Sequence, residues 1–130
     1  MSCARRLKNL LIMPETKLLP QILRVVKEDN RLTLHLKIPE DLVYFEGHFP
    51  GLPILPGVVQ IHWAAELFLT HWQTPIRFQR MEVIKFRHLL RSAMEVELRL
   101  DFDADKRRLV FEYYSDQRQY SSGRIYWQPL

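Results

Sequence analysis

At 130 residues the chain has room for one hydrophobic core and not for two. Hydrophobic residues make up 47% and charged residues 26%, and no apolar run reaches the roughly 18 residues of a membrane span, so neither a membrane-spanning nor a disordered chain fits. The formal charge is +4 and Cys3 is the single cysteine, which excludes an internal disulfide and a cysteine metal cluster.

The chain opens with a basic stretch, Met1 to Leu7, followed by Leu10-Leu11-Ile12-Met13. That apolar stretch is short and no small-residue cleavage site follows it, so it is a poor signal peptide. Residues 1–14 are expected to form a tail, residues 15–130 a single domain, and the protein is expected in the cytoplasm. Residues 21–28 and 31–38 read as strands joined by a turn at Asp29-Asn30. In the second, Leu32, Leu34, Leu36 and Ile38 share one face, while Arg31, Thr33, His35 and Lys37 share the other. This alternation predicts an antiparallel sheet with one buried side.

Residues 47–59 read Gly47-His48-Phe49-Pro50-Gly51-Leu52-Pro53-Ile54-Leu55-Pro56-Gly57-Val58-Val59. Three of the eight prolines and three of the four glycines fall here, a density that specifies an ordered loop. Pro56-Gly57 opens a helix running to about Trp72, and Pro75 stops it. Its apolar residues cover nearly the whole circumference, so the helix is expected to be buried on most sides. Gln60, His62, Glu66, Thr70 and His71 are its polar remainder, and His62 and Glu66, four apart, share a face. Four further strands are expected at about 76–87, 94–102, 107–115 and 119–127, with turns at Asp103–Lys106 and Ser115–Arg118. The predicted class is α+β: one antiparallel sheet of about six strands curled around one buried helix.

The string His48-Phe49-Pro50-Gly51-x-Pro53-Ile54-x-Pro56-Gly57-Val58 resembles the signature of the β-hydroxyacyl-[acyl-carrier-protein] dehydratases, which are hotdog-fold proteins. Lys85-Phe86-Arg87 is similar to that family's third-strand segment, and the resemblance spans about residues 15–128. The run Pro53 to Ala64 resembles most the branch associated with aryl-polyene assembly. The resemblance implies a curved sheet around a central helix, paired subunits, and loss of water from a 3-hydroxyacyl thioester on an acyl carrier protein. It places His48 as the base and the N–H of Gly57 against the thioester oxygen, with Phe49 and Val58 beside the substrate. The chemistry agrees with those roles. Removing a proton next to a thioester builds charge on the carbonyl oxygen, which a helix N-terminus stabilises, and an imidazole is a suitable base near neutral pH.

One position departs from the pattern. The family carboxylate lies fourteen residues after the histidine, where this chain has His62. An imidazole can donate a proton or a hydrogen bond to the leaving hydroxyl. Alternatively Glu66 supplies or orients the acid function, or the chain is a silent subunit that binds carrier protein. A hotdog thioesterase is the rival enzyme. The blander reading makes His62 a buried histidine satisfied by Glu66. His71 and His88 read as surface or structural residues, and Trp63, Phe68 and Trp72 as core or dimer packing. His48, His62 and Glu66 could in principle hold a metal, but their spacing is common by chance, so no metal is expected. No Rossmann or Walker loop is present, so no cofactor is expected. The expected partners are an acyl carrier protein and a second copy of the chain, with no nucleic acid and no membrane span. Lys106-Arg107-Arg108, Arg87 and Arg91 are the basic candidates for docking the carrier.

Overall fold

A computed structural model describes residues 18–42, 54–73, 75–116 and 118–130. Its strands are β1 (Gln21–Lys27), β2 (Arg31–Lys37), β3 (Ile76–Phe86), β4 (Glu95–Asp103), β5 (Arg108–Ser115) and β6 (Arg118–Pro129), and its helix is α1 (Gly57–Trp72). The strands pair antiparallel throughout, in the order β1-β2-β4-β5-β6-β3, as a single curved sheet around α1. The expected α+β architecture, one sheet around one helix, is the one observed. The tail expected over residues 1–14 lies outside the described residues.

Register follows from the alternation. Leu32 pairs with Leu100, Leu34 with Leu98 and Leu36 with Val96, so all six point inward and are buried. A buried leucine contributes about 1.5–3 kcal/mol relative to an exposed one, and these six residues join Leu109, Phe111, Tyr113, Ile125 and Trp127 in one core with α1. The outer face carries cross-strand charge pairs. Arg31 Nε donates to Asp101 at 2.6 Å, Arg99 pairs with Glu112, and His35 bridges Glu95 and Glu97. Part-exposed pairs of this kind each contribute about 0–1 kcal/mol.

α1 buries Val59, Gln60, Trp63, Ala64, Leu67 and Phe68 against the sheet. This spacing defines one face. Val58, His62, Glu66 and Thr70 on the opposite side are exposed, Val58 to 71%. The helix is therefore buried on most sides, as expected, and these four positions form one exposed stripe along it. Phe68, Trp72, Phe102 and Trp127 close the C-terminal end of α1, with ring centroids 5.2–5.5 Å apart. Gln73 then caps the helix in the left-handed region at φ 66°.

β3 is one edge of the sheet and is not the smooth strand its sequence suggests. Its register with β6 shifts twice, and Val83 sits at φ 55°, a costly conformation for a β-branched residue. Met81, Val83 and Phe86 are exposed along this edge.

Candidate active site

The site expected at the start of α1 is built by the segment that leads into it. Ile54 bridges to Arg91, and the Leu55 N–H donates to the Leu90 carbonyl at 2.8 Å. Pro56 then enters at φ −61° and ψ 147°, extended geometry that suits the residue preceding a helix. The N–H groups of Val59 and Gln60 turn back to the Pro56 carbonyl at 3.1 and 3.3 Å. No side chain caps this end and no acidic residue occupies the first turn. The N–H groups of Gly57 and Val58 consequently find no acceptor among the described residues, and they face the positive end of the helix dipole. An arriving carbonyl oxygen can take them.

Phe86, at the end of β3, lies over this first turn. A Cβ added at Gly57 would fall 2.5 Å from Phe86 Cζ, so any larger residue here would require the Phe86 ring to move. Phe86 is itself half exposed.

His62 stands on the outer face of α1, two residues beyond Gln60. It lines a mostly apolar groove of about 270 Å³ between α1 and β3, together with Ile61, Ala65, Phe78, Met81 and Ile125 and the polar Gln79 and Arg80. Glu66 is one turn further along the same exposed face. The reading of His62 as a buried histidine satisfied by Glu66 is corrected: both are exposed and no ion pair joins them. The structure thus brings Val58, His62 and Glu66 to one side of one helix, with Gly57 at its N-terminus. His48 and Phe49 lie outside the described residues. His71 Nδ1 is 2.9 Å from the Leu67 carbonyl and His88 lies against Arg118 and Tyr120, as expected of structural histidines. Trp63 and Phe68 are core residues.

Three features escaped the sequence reading. Gln60, only 3% exposed, joins a hydrogen-bonded cluster behind the helix start. Its Nε2–H donates to the Leu55 carbonyl at 3.2 Å, Ser121 O–H donates to its Oε1 at 2.6 Å, and Tyr113 O–H donates to its main-chain carbonyl at 2.7 Å. Burial pushes the Tyr113 hydroxyl well above the usual phenol range, so it remains a donor at any physiological pH. Secondly, Arg87, Arg91 and Arg118 converge with His88 and Tyr120 on a cleft of about 490 Å³ that no carboxylate lines among the described residues. Thirdly, Phe86 covers Gly57. None of these has a signal within a short sequence window, because each joins residues from separate strands.

A family profile described as ApeI-like, ApeI dehydratase, matches residues 24–124. Among solved structures, the dehydratase heterocomplex ApeI:P from Xenorhabdus doucetiae is similar at 30% identity, covering 84% of this chain and 97% of that one, with a TM-score of 0.78. A protein from Erwinia carotovora subsp. atroseptica is similar at 35% identity, covering 86% and 98%, with a TM-score of 0.76. Thioesterase superfamily member 2 from Mus musculus shares the fold at 15% identity and a TM-score of 0.64. Among curated proteins, the 3-hydroxyacyl-[acyl-carrier-protein] dehydratase FabZ of Novosphingobium aromaticivorans is 32% identical over 75 residues, covering 51% of this chain and 48% of that protein. The FabZ of Erythrobacter litoralis is also 32% identical, over 79 residues. The chain spans about half the length of these curated relatives.

Proposed function

The chain belongs to the ApeI-like dehydratase family, and from that premise we propose that it removes water from a 3-hydroxyacyl thioester carried on an acyl carrier protein. The observation that carries this reading is His62, exposed on α1 beside the apolar groove and about one and a half turns from the N–H of Gly57, which has no acceptor among the described residues. In this reading residues 15–130 are the working domain, and Phe49 and Val58 lie against the substrate.

The proposed reaction runs as follows. Neutral His48 takes the proton next to the thioester carbonyl. The charge that builds on the carbonyl oxygen is held by the Gly57 N–H and the dipole of α1. The C–O bond to the 3-hydroxyl breaks, and His62 gives that oxygen a proton, or a hydrogen bond followed by a proton, so that it leaves as water. An enoyl thioester remains. The acyl chain lies in the groove between α1 and β3, whose walls of Ile61, Phe78, Met81 and Ile125 suit it.

The basic surface serves the acidic carrier. The Arg87, Arg91 and Arg118 cleft is the favoured dock, because Arg91 bridges Ile54 and so lies next to the entry of α1. Lys106 and Arg107 lie in the β4–β5 turn, where the Arg107 carbonyl accepts the N–H of Trp127, a residue at the opposite end of the helix. Sixteen residues of helix, roughly 24 Å, separate the two ends.

A second reading has this chain as a silent subunit that pairs with an active one. Two observations favour it: His62 stands where the family has a carboxylate, and the similar Xenorhabdus assembly is described as a heterocomplex. Purified protein incubated with a 3-hydroxyacyl carrier-protein thioester separates the readings by mass spectrometry. Loss of water supports the dehydratase, release of acid a thioesterase, and an unchanged thioester the silent subunit.

A further inference from the structure

Gln60 and His62 are two residues apart on α1, which turns them about 200° from each other, to opposite faces. His62 faces outward and Gln60 faces the sheet. Whatever holds Gln60 therefore sets the rotation of the helix and the direction in which His62 points. Three contacts hold it, each from a different element. The Leu55 carbonyl belongs to the entry segment, Tyr113 to β5 and Ser121 to β6. The amide has one orientation only. The Leu55 carbonyl can only accept, so Nε2 must face it and Oε1 must face the Ser121 hydroxyl.

An apolar side chain would fill this position without the cost of burying an amide. Burying a fully satisfied polar cluster gains little net stability over apolar packing, whereas it admits one arrangement of its members. Leu55 is two residues before Gly57, so the same cluster also fixes the N–H groups that open α1.

We propose that Gln60 is a positioning residue: through Leu55, Tyr113 and Ser121 it locks the rotation and start of α1, so that the Gly57 N–H and His62 address one substrate. This rests on the dehydratase reading for its functional consequence, but its geometric content does not.

The test uses Gln60→Met, Ser121→Ala and the double variant in the full-length protein. Gln60→Met alone strands the Ser121 hydroxyl and lowers thermal stability. The double variant also removes the Ser121 hydroxyl and should recover part of that loss, the Leu55 carbonyl being left without its Nε2–H donor. Turnover of the 3-hydroxyacyl carrier-protein thioester should nevertheless remain about tenfold or more below wild type, with KM within about twofold, because small misplacements of catalytic groups are costly. Independently of activity, the Gly57 amide and His62 ring resonances in NMR spectra should shift in the double variant and in Ser121→Ala. If the double variant recovers stability and those resonances stay at their wild-type positions, Gln60 is core filling and the proposal is wrong. Should the double variant not fold, Ser121→Ala decides on the same resonances. A wild-type protein that converts no substrate would overturn the dehydratase reading and leave the resonance test standing.

Discussion

Protonated His35 donates one ring N–H to Glu97 at 2.6 Å and the other to Glu95 at 2.8 Å, across β2 and β4. The hydrogen bond to Glu95, then that to Glu97, holds its pKa above the ordinary 6.5. The folded state therefore binds this proton more tightly than the unfolded chain does. The stabilisation is present in full below the ordinary value and is lost as pH rises through the raised one, where two glutamates are left facing a neutral ring. Melting temperature should fall as pH is raised from about 6 through that window, and His35→Gln should flatten the fall. An unchanged slope in His35→Gln, read by thermal denaturation across a pH series, would remove His35 as its source. The sequence placed His35 correctly on the polar face of its strand. Its two partners were not legible, because they lie 60 and 62 residues away and depend on the β2–β4 register.

At the scale of the element, α1 depends on the fit between Gly57 and Phe86. Glycine inside a helix costs roughly 0.5–1 kcal/mol relative to alanine. Gly57→Ala should nonetheless gain nothing in the native background, because its Cβ would press on the ring at 2.5 Å. It should also slow turnover by displacing Phe86 from the helix start. In a Phe86→Ala background the same substitution should stabilise, by less than the roughly 0.5–1 kcal/mol of a helix interior because Gly57 is the first helical position. Denaturant titration of the four variants measures the coupling, and an identical effect of Gly57→Ala in both backgrounds contradicts the packing account. The bounds of α1 were legible because Pro56-Gly57 and Pro75 punctuate it. The exposure of Val58 on its outer stripe was not. Counting apolar residues around a helix does not distinguish burial within a chain from burial between chains. Gln60 was equally hidden, as one of five polar residues on the helix, because its hydroxyl partners Tyr113 and Ser121 are 53 and 61 positions away.

For the whole molecule, the outer face of α1 and the free edge of β3 leave Val58, Met81, Val83 and Phe86 exposed together with the His62 groove. Such a surface suits a partner, and the expected one is a second copy of the chain. Light scattering at micromolar concentration should give the mass of two chains, and Met81→Glu should shift the protein towards one. A wild-type mass of one chain would rule out the homodimer. The arginine cleft makes a separate prediction. Reversing charge at Arg87, Arg91 and Arg118 should raise KM for a carrier-protein thioester and remove its salt dependence, whereas reversal at Lys106 and Arg107 should not. Equal effects at both places would mean that carrier docking is diffuse. The arginines of the cleft are scattered in the sequence, and only the β3–β6 pairing brings Arg118 to Arg87. Among the described residues no helix is long and apolar enough to cross a membrane.

The two-histidine dehydration stands or falls on the outer face of α1. The decisive measurement is the rate of water loss from a 3-hydroxyacyl carrier-protein thioester, followed by mass spectrometry, for the wild-type protein and for His62→Ala. The wild type should form the enoyl thioester. His62→Ala should lose about a hundredfold or more in rate while retaining its fold, because an exposed side chain contributes little to packing, and His62→Glu should restore activity. Full activity in His62→Ala would contradict the account.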